Sequence, residues 1–206
     1  MRKLALWTVP GILALGCGAS QPAPAMVRGD IDAAPDMTIL PSLDRPLDEM
    51  SPAMREGWLL AEEAFEIPLP PPPDTDTQSY TAWAEGDLRR WLRRKSHTVE
   101  SAREELDRAA DEDSEERIVA GGIVGLLYED VGRELLSIPT PQALIEDPEI
   151  GLIFREVLEG EAAPYLERSN AAYRACAINA DAGPESLRHW RRFCAGRRVE
   201  LPLDDS

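Results

Sequence analysis

Apolar residues recur at steps of three and four along most of the chain, broken by proline, glycine and short polar runs. The pattern predicts a series of amphipathic helices. The first starts at Ser51 as cap, with Pro52 in the first turn, where its missing N–H costs nothing. Trp58, Leu59, Ala61, Ala64 and Phe65 form its expected apolar side, and it ends before Pro68. Residues 68–73 hold five prolines and Leu69, a composition for polyproline II acting as a stiff connector.

The second helix carries the longest stripe: Tyr80, Ala84, Leu88, Trp91, Lys95, Val99, Ala102, Leu106 and Ala109. Only Lys95 breaks it, and a long aliphatic stem lets its ammonium reach water. Asp113 with Glu116 fits a capping box for a third helix over 114–136. Val119, Ile123, Leu127, Val131 and Leu135 mark one face of it, broadened by Val124. Gly121, Gly122, Gly125 and Gly132 each cost about 1 kcal/mol in a helix relative to Ala. So many glycines imply close approach to a neighbouring helix.

Pro139 and Pro141 end this helix, and Asp147-Pro148 caps and starts another, with Ile150, Ile153, Phe154, Val157 and Leu158. Pro164 is expected to kink or interrupt it. The pattern resumes through Tyr165, Leu166, Ala172, Tyr173 and Cys176. Ala182-Gly183 makes a turn, and Pro184 opens a last helix with Leu187, Trp190 and Cys194 on one face. The expected fold is all-α: helical hairpins in a compact bundle over 47–197, with a flexible tail at 198–206.

The residues before the bundle follow a different logic. Arg2 and Lys3 precede an apolar run from Leu4 to Leu15, broken only by Thr8, and then Gly16-Cys17. A charged, an apolar and a small-residue region in that order make a secretory signal. The run is too short to span a bilayer, which takes about 20 residues. Residues 17–46, rich in Ala, Pro and Asp without sustained periodicity, are expected to form a disordered tether behind the 1–16 signal.

The charge of the whole chain is −16. Removal of 16 residues bearing two bases and no acids leaves 190 residues at −18. Such a charge argues against nucleic acid and against docking of the protein surface on anionic lipid. Arg89, Arg90, Arg93 and Arg94 therefore make a solvated face rather than a nucleic-acid patch. Of three cysteines, Cys176 and Cys194 form an even pair in an oxidising compartment, which predicts a disulfide across a helical hairpin. Two separate buried thiols are the alternative. His189 lies near Cys194, but no further His or Cys completes a tetrahedral metal set.

Ala14-Leu15-Gly16-Cys17 resembles the lipobox of bacterial lipoproteins. The resemblance implies diacylglycerol on the Cys17 sulfur, cleavage before it and acylation of the new amino group. A plain signal peptide with soluble export is the alternative. Several acyl chains anchor stably where one does not. Gly18 in place of Asp implies, by the same analogy, the outer membrane, facing the periplasm. Val124-Gly125-Leu126-Leu127-Tyr128 is similar to the first helix of a tetratricopeptide repeat. The stretch from Trp91 to Cys194, about half the chain, resembles the degenerate repeat region of myxobacterial envelope proteins through the segments 125–130, 138–141, 162–165 and 172–176, in that order. That implies a helical scaffold that binds other envelope proteins.

His97 and His189 fall on different helices, and no nucleophile elbow, His-Glu-x-x-His or Gly-x-Gly-x-x-Gly is present. The expectation is a non-enzymatic, lipid-anchored protein-binding module with no cofactor beyond the lipid on Cys17. Trp83, Trp91, Tyr128 and Trp190 are its candidate interaction surface. The other readings are an envelope hydrolase with scattered carboxylates, which requires two close buried acids in a cleft, and a structural spacer, which requires no groove.

Overall fold

Ser51 begins the first helix as the sequence predicts: its hydroxyl accepts from the Met54 N–H at 3.1 Å, and α1 runs Pro52–Phe65. The structure is a computed structural model that describes residues 37–73, 76–145 and 148–197, all within the unit Ala33–Ser206. Cys17, the 1–16 signal and the 198–206 tail lie outside the described residues.

Helix α2 (Thr77–Trp83) is capped by Asp76, which accepts from Ser79 N–H. It leads through one π-helical stretch, Ala84–Leu88, into α3 (Arg89–Glu112). Asp113 alone separates α3 from α4 (Ser114–Ser137); it stands in extended backbone and accepts from the N–H groups of Glu115 and Glu116. The Asp cap is thus as expected, but the reciprocal half of the box is not made. Glu116 instead turns to Ser51, accepting from its N–H at 2.8 Å and its hydroxyl at 2.5 Å.

The short α5 (Gln142–Ile145) leads to α6 (Pro148–Ala182) and, after a 3₁₀ turn at Glu185–Leu187, α7 (Arg188–Gly196). Among the described residues there is no strand. The helices pack as α1 on α3, α3 on α4, α4 on α6 and α6 on α7. The expected all-α bundle of hairpins is what the chain forms.

Glycine sets the register of its centre. A Cβ on Gly121 would lie 3.2 Å from Cys176, one on Gly125 2.6 Å from the Tyr173 ring, and one on Gly132 2.5 Å from Leu166. As the α4 positions rise the α6 positions fall, so the two helices run antiparallel with little space between their backbones. Gly122 likewise receives Trp190 of α7, at 2.6 Å from a built Cβ. With neighbours on several sides, α4 buries residues all round, including Val119, Ile123, Leu126, Leu127 and Val131.

Three expectations are corrected. Helix α6 is not interrupted at Pro164. That proline is exposed, and a Cβ at Gly160, one turn earlier, would meet nothing within 4 Å. The carbonyl that loses its partner therefore faces water, and the ring has room. The packed domain also starts earlier than residue 47: Met37, Leu40 and Leu43 pack on the core, and Arg45 reaches Asp113 at 3.0 Å and Glu116 at 2.5 Å. These apolar residues, pinned by one arginine, order a stretch whose composition suggested a tether. On α1 the buried face is Met54, Gly57, Ala61 and Ala64, leaving Leu59 exposed, because Gly57 admits Leu106 of α3 there.

Candidate functional site

The four aromatic residues expected on the surface are core residues. Trp83, Trp91, Tyr128 and Trp190 are all buried. The Trp83 ring lies 5.0 Å from that of Tyr80, tilted by 55°, and the Trp91 indole N–H donates to the Ile67 carbonyl at 3.3 Å. The Tyr128 hydroxyl donates to Glu100 at 2.9 Å, beneath the Arg168 guanidinium at 5.5 Å from its ring. Trp190 fills the notch at Gly122 and meets Phe193 edge-on at 5.9 Å. A large apolar body with one polar tip suits a core as well as an interface, and here a tight groove over glycine takes it.

The disulfide is present: Cys176 and Cys194 are joined, with Cα atoms 6.1 Å apart. It ties α6 to α7 beside Trp190.

Charge is buried along α4 at three levels, each answered from other elements. At the first turn, Glu116 meets Arg45 and Ser51. In the fifth, Glu129 is fully buried, accepts from the Tyr173 hydroxyl at 2.7 Å, and pairs with Arg133 at 2.7 Å and Arg197 at 2.8 Å. Next to it, Lys95 of α3 is fully buried, 2.6 Å from Asp130 and 3.0 Å from Glu134. Lys95 therefore does not reach water as the stripe suggested. Its ammonium also donates to the Ile67 carbonyl at 3.4 Å, at the start of the proline connector. Leaving such a charge unpaired would cost several kcal/mol, so α3, α4 and the connector are locked together.

The electrostatics follow from this enclosure. Burial pushes Asp130 up to about 7; Lys95 opposes the rise, while Glu134 and Glu129 add to it. Burial also raises Glu134, against Lys95 and the Leu69 N–H. The Tyr173 hydroxyl is raised, first by burial and then by Glu129. Burial works against the charge of Glu100 as well, but hydrogen bonds from Arg103 and Tyr128 win, and its pKa lies below the usual range.

Two larger cavities lie elsewhere. One, of about 230 Å³, opens between Thr77, Tyr80, Thr81 and Ala84 on one side and Pro141, Leu144 and Phe154 on the other. The second, of about 240 Å³, lies between α6 and α7 and is lined by residues including Arg174, Ile178, Arg191 and Cys194. Neither is lined by Glu129, Asp130 or Glu134. The close buried acids that a hydrolase needs are therefore present, but each faces a protein cation rather than either cavity.

Beside the first cavity the surface turns apolar. Phe154 and Leu158 of α6 face inward, while Leu152, Ile153 and Val157 are exposed, Ile153 by 53% and Val157 by 57%. Ile145 of α5 is exposed nearby in sequence. The sequence marked Ile153 and Val157 as apolar positions of the helix; the structure leaves them facing solvent.

Among the described residues no helix is long and apolar enough to cross a membrane, and no cluster of three His, Cys, Asp or Glu is placed to hold a metal ion. The chain matches no protein-family model, no curated protein and no solved structure.

Proposed function

We propose that the chain is an exported lipoprotein, anchored by acyl groups on Cys17 at the outer membrane and facing the periplasm, whose helical bundle is a non-enzymatic module for binding another envelope protein. The observation that carries the binding role is the aliphatic face of α6. Ile153 and Val157 stand more than half exposed beside a cavity floored by Tyr80 and Phe154, with Leu152 exposed on the same helix. Apolar side chains grouped in this way on the surface of a strongly acidic chain mark a contact site for protein. A cavity of that size takes one or two large side chains, the anchor residues of a partner. The resemblance of residues 91–194 to repeat-containing envelope proteins, which implies a helical scaffold, points the same way.

The test is capture of the tagged protein from detergent-solubilised envelopes, followed by mass spectrometry, with the wild type and a double variant Ile153→Ser/Val157→Ser side by side. A partner retained by the wild type and lost by the variant is expected. Equal recovery from both would overturn the assignment to α6. Intact mass of the recovered protein tests the anchor: it should lack residues 1–16 and carry acyl chains. Peptidoglycan or glycan turnover by the purified chain would overturn the non-enzymatic reading.

A further inference from the structure

The charge of this chain is divided unevenly along its length. Residues 37–167 carry 30 acids and 12 bases, a net −18. Residues 168–197, the second half of α6 and all of α7, carry six arginines and two acids, a net +4. One end of α6 with its partner helix is thus basic on a protein that is otherwise strongly acidic.

Some of those arginines are committed. Arg197 pairs with Glu129 and Arg168 with Glu100. Exposed pairs hold Arg188 to Glu185 at 2.7 Å and Arg191 to Asp181 at 3.2 Å. Among the described residues, Arg174 and Arg192 have no carboxylate partner, although acids outnumber bases in the chain by 38 to 22.

Arg174 and Arg191 line the cavity of about 240 Å³ between α6 and α7. The rest of the lining is one acid, Asp181, already paired with Arg191, and the mostly apolar Tyr173, Ala177, Ile178, Cys194 and Ala195, with Ile178 exposed by 63%. The disulfide joins the two walls, since Cys176 belongs to α6 and Cys194 to α7. A cavity with tied walls needs little ordering when a ligand enters, and that saves affinity.

We infer that this cavity is a second binding site, independent of the aliphatic face of α6, for an acidic peptide segment that places an aliphatic side chain beside a carboxylate. Arg174 takes the carboxylate, with Arg191 shared between the ligand and Asp181. Ile178 and Ala177 receive the aliphatic group. A planar guanidinium binds a carboxylate through two parallel N–H donors, which favours arginine in this role. The acidic body does not prevent this. At physiological ionic strength charges are screened over about 8 Å, so contact with two arginines outweighs a distant surplus of acids.

The test uses the full chain carrying Cys17→Ser, so that no acyl group or detergent competes. Fluorescence anisotropy is followed with three labelled peptides of equal length: one of alternating Leu and Glu, one of Leu and Lys, and one of Ser and Glu. The Leu/Glu peptide should bind tightest, and Arg174→Glu should weaken it about tenfold or more, as loss of an arginine anchor does. Arg89→Glu, on another exposed basic face, should leave it unchanged. Reduction of the disulfide should weaken binding while far-UV circular dichroism stays helical. Equal binding of the Leu/Lys peptide, or an Arg89→Glu effect as large as that of Arg174→Glu, would overturn the proposal. So would binding to anionic phospholipid vesicles that Arg174→Glu abolishes without any binding of the Leu/Glu peptide. A peptide with a free C-terminal carboxylate against its amide separates a chain end from a side chain as the source of the anion.

Discussion

Helix α4 and the first turns of α6 pose the same problem to a reader of sequence and solve it differently. Both carry apolar residues on more than one side, and neither shows a clean hydrophobic stripe. In α4 that is because helices α1, α3, α6 and α7 surround it, and glycines let them approach. In α6 the inner side, Phe154 and Leu158, is covered, while Leu152, Ile153 and Val157 remain in water. A helix that is apolar all round is therefore either central to its own fold or built to meet something else. What separates the two cases is glycine: α4 has four that admit side chains of α6 and α7, whereas in α6 Gly151 meets only the Leu144 carbonyl of the short α5 and a Thr140 methyl, and Gly160 faces open space.

Placing the same bulk on both helices breaks the comparison most sharply. A leucine at Gly125 must displace the fully buried Tyr173 ring, whose hydroxyl is held by Glu129. Gly125→Leu should cost about 4 kcal/mol or more, or abolish folding. Gly160→Leu should instead gain about 0.5–1 kcal/mol, since leucine is the better helix former and meets nothing there. Urea unfolding monitored by circular dichroism reads both. A loss on α6 as large as that on α4 would remove the distinction.

Next in size is the buried charge that belongs only to the α4 side. Lys95→Ala leaves Asp130 and Glu134 enclosed without their cation. That should cost about 3–5 kcal/mol, the range for breaking a buried pair from one side. The same substitution at Arg188, whose pair with Glu185 is exposed, should change stability by no more than about 0.5 kcal/mol. The disulfide follows. It closes a loop across a sequence separation of 18, and Cys176→Ser/Cys194→Ser should cost about 3 kcal/mol. An unchanged unfolding midpoint after reduction would show that glycine packing alone holds α7.

The caps and the glycines were legible because their signals are local. Ser51 before Pro52, Asp113 before an acidic turn, and glycines spaced along one helix each state their need within a few residues. The cysteine pairing was legible from helical steps to Leu187 and Trp190. Lys95 was not. A single lysine in an apolar stripe is indistinguishable from one that reaches water until Asp130 and Glu134 arrive from a helix more than 30 residues on. Trp83, Trp91, Tyr128 and Trp190 were misplaced for a related reason, since aromatic residues suit interface and core alike. The cavity between α6 and α7 had one trace in the sequence, the run of arginines in the last helix, which the overall acidity masked.

The pH dependence separates the enclosed cluster from the surface acids. In the folded protein Asp130 is held near 7, against 3.8 in the free side chain. Between those values the folded state holds a proton that the unfolded chain has lost. Asp130 therefore makes its largest contribution to stability below about pH 4, and that contribution fades as pH rises through 7. Glu134 acts in the same direction, whereas the lowered Glu100 and Asp113 act in the opposite one. Comparison with Asp130→Asn isolates the one group. Relative to that variant the wild type should lose stability steadily from pH 4 to pH 8. Parallel curves would mean that Lys95 keeps Asp130 charged throughout.

The smallest expected change in stability is on the aliphatic face of α6, and its smallness is the point. Val157→Ser replaces a side chain that is mostly in water already, so the fold has little to lose. The unfolding free energy should move by no more than about 0.5 kcal/mol, as for an ordinary surface position. The same substitution at Val131 of α4, which is fully buried, should cost about 2 kcal/mol or more through the cavity and the buried hydroxyl. If Val157 exists to meet a partner, its replacement leaves the melting curve alone and empties the capture experiment. If Val157→Ser lowers the melting temperature as far as Val131→Ser does, the first turns of α6 belong to the core in solution, and the distinction between a surrounded helix and a presented one fails.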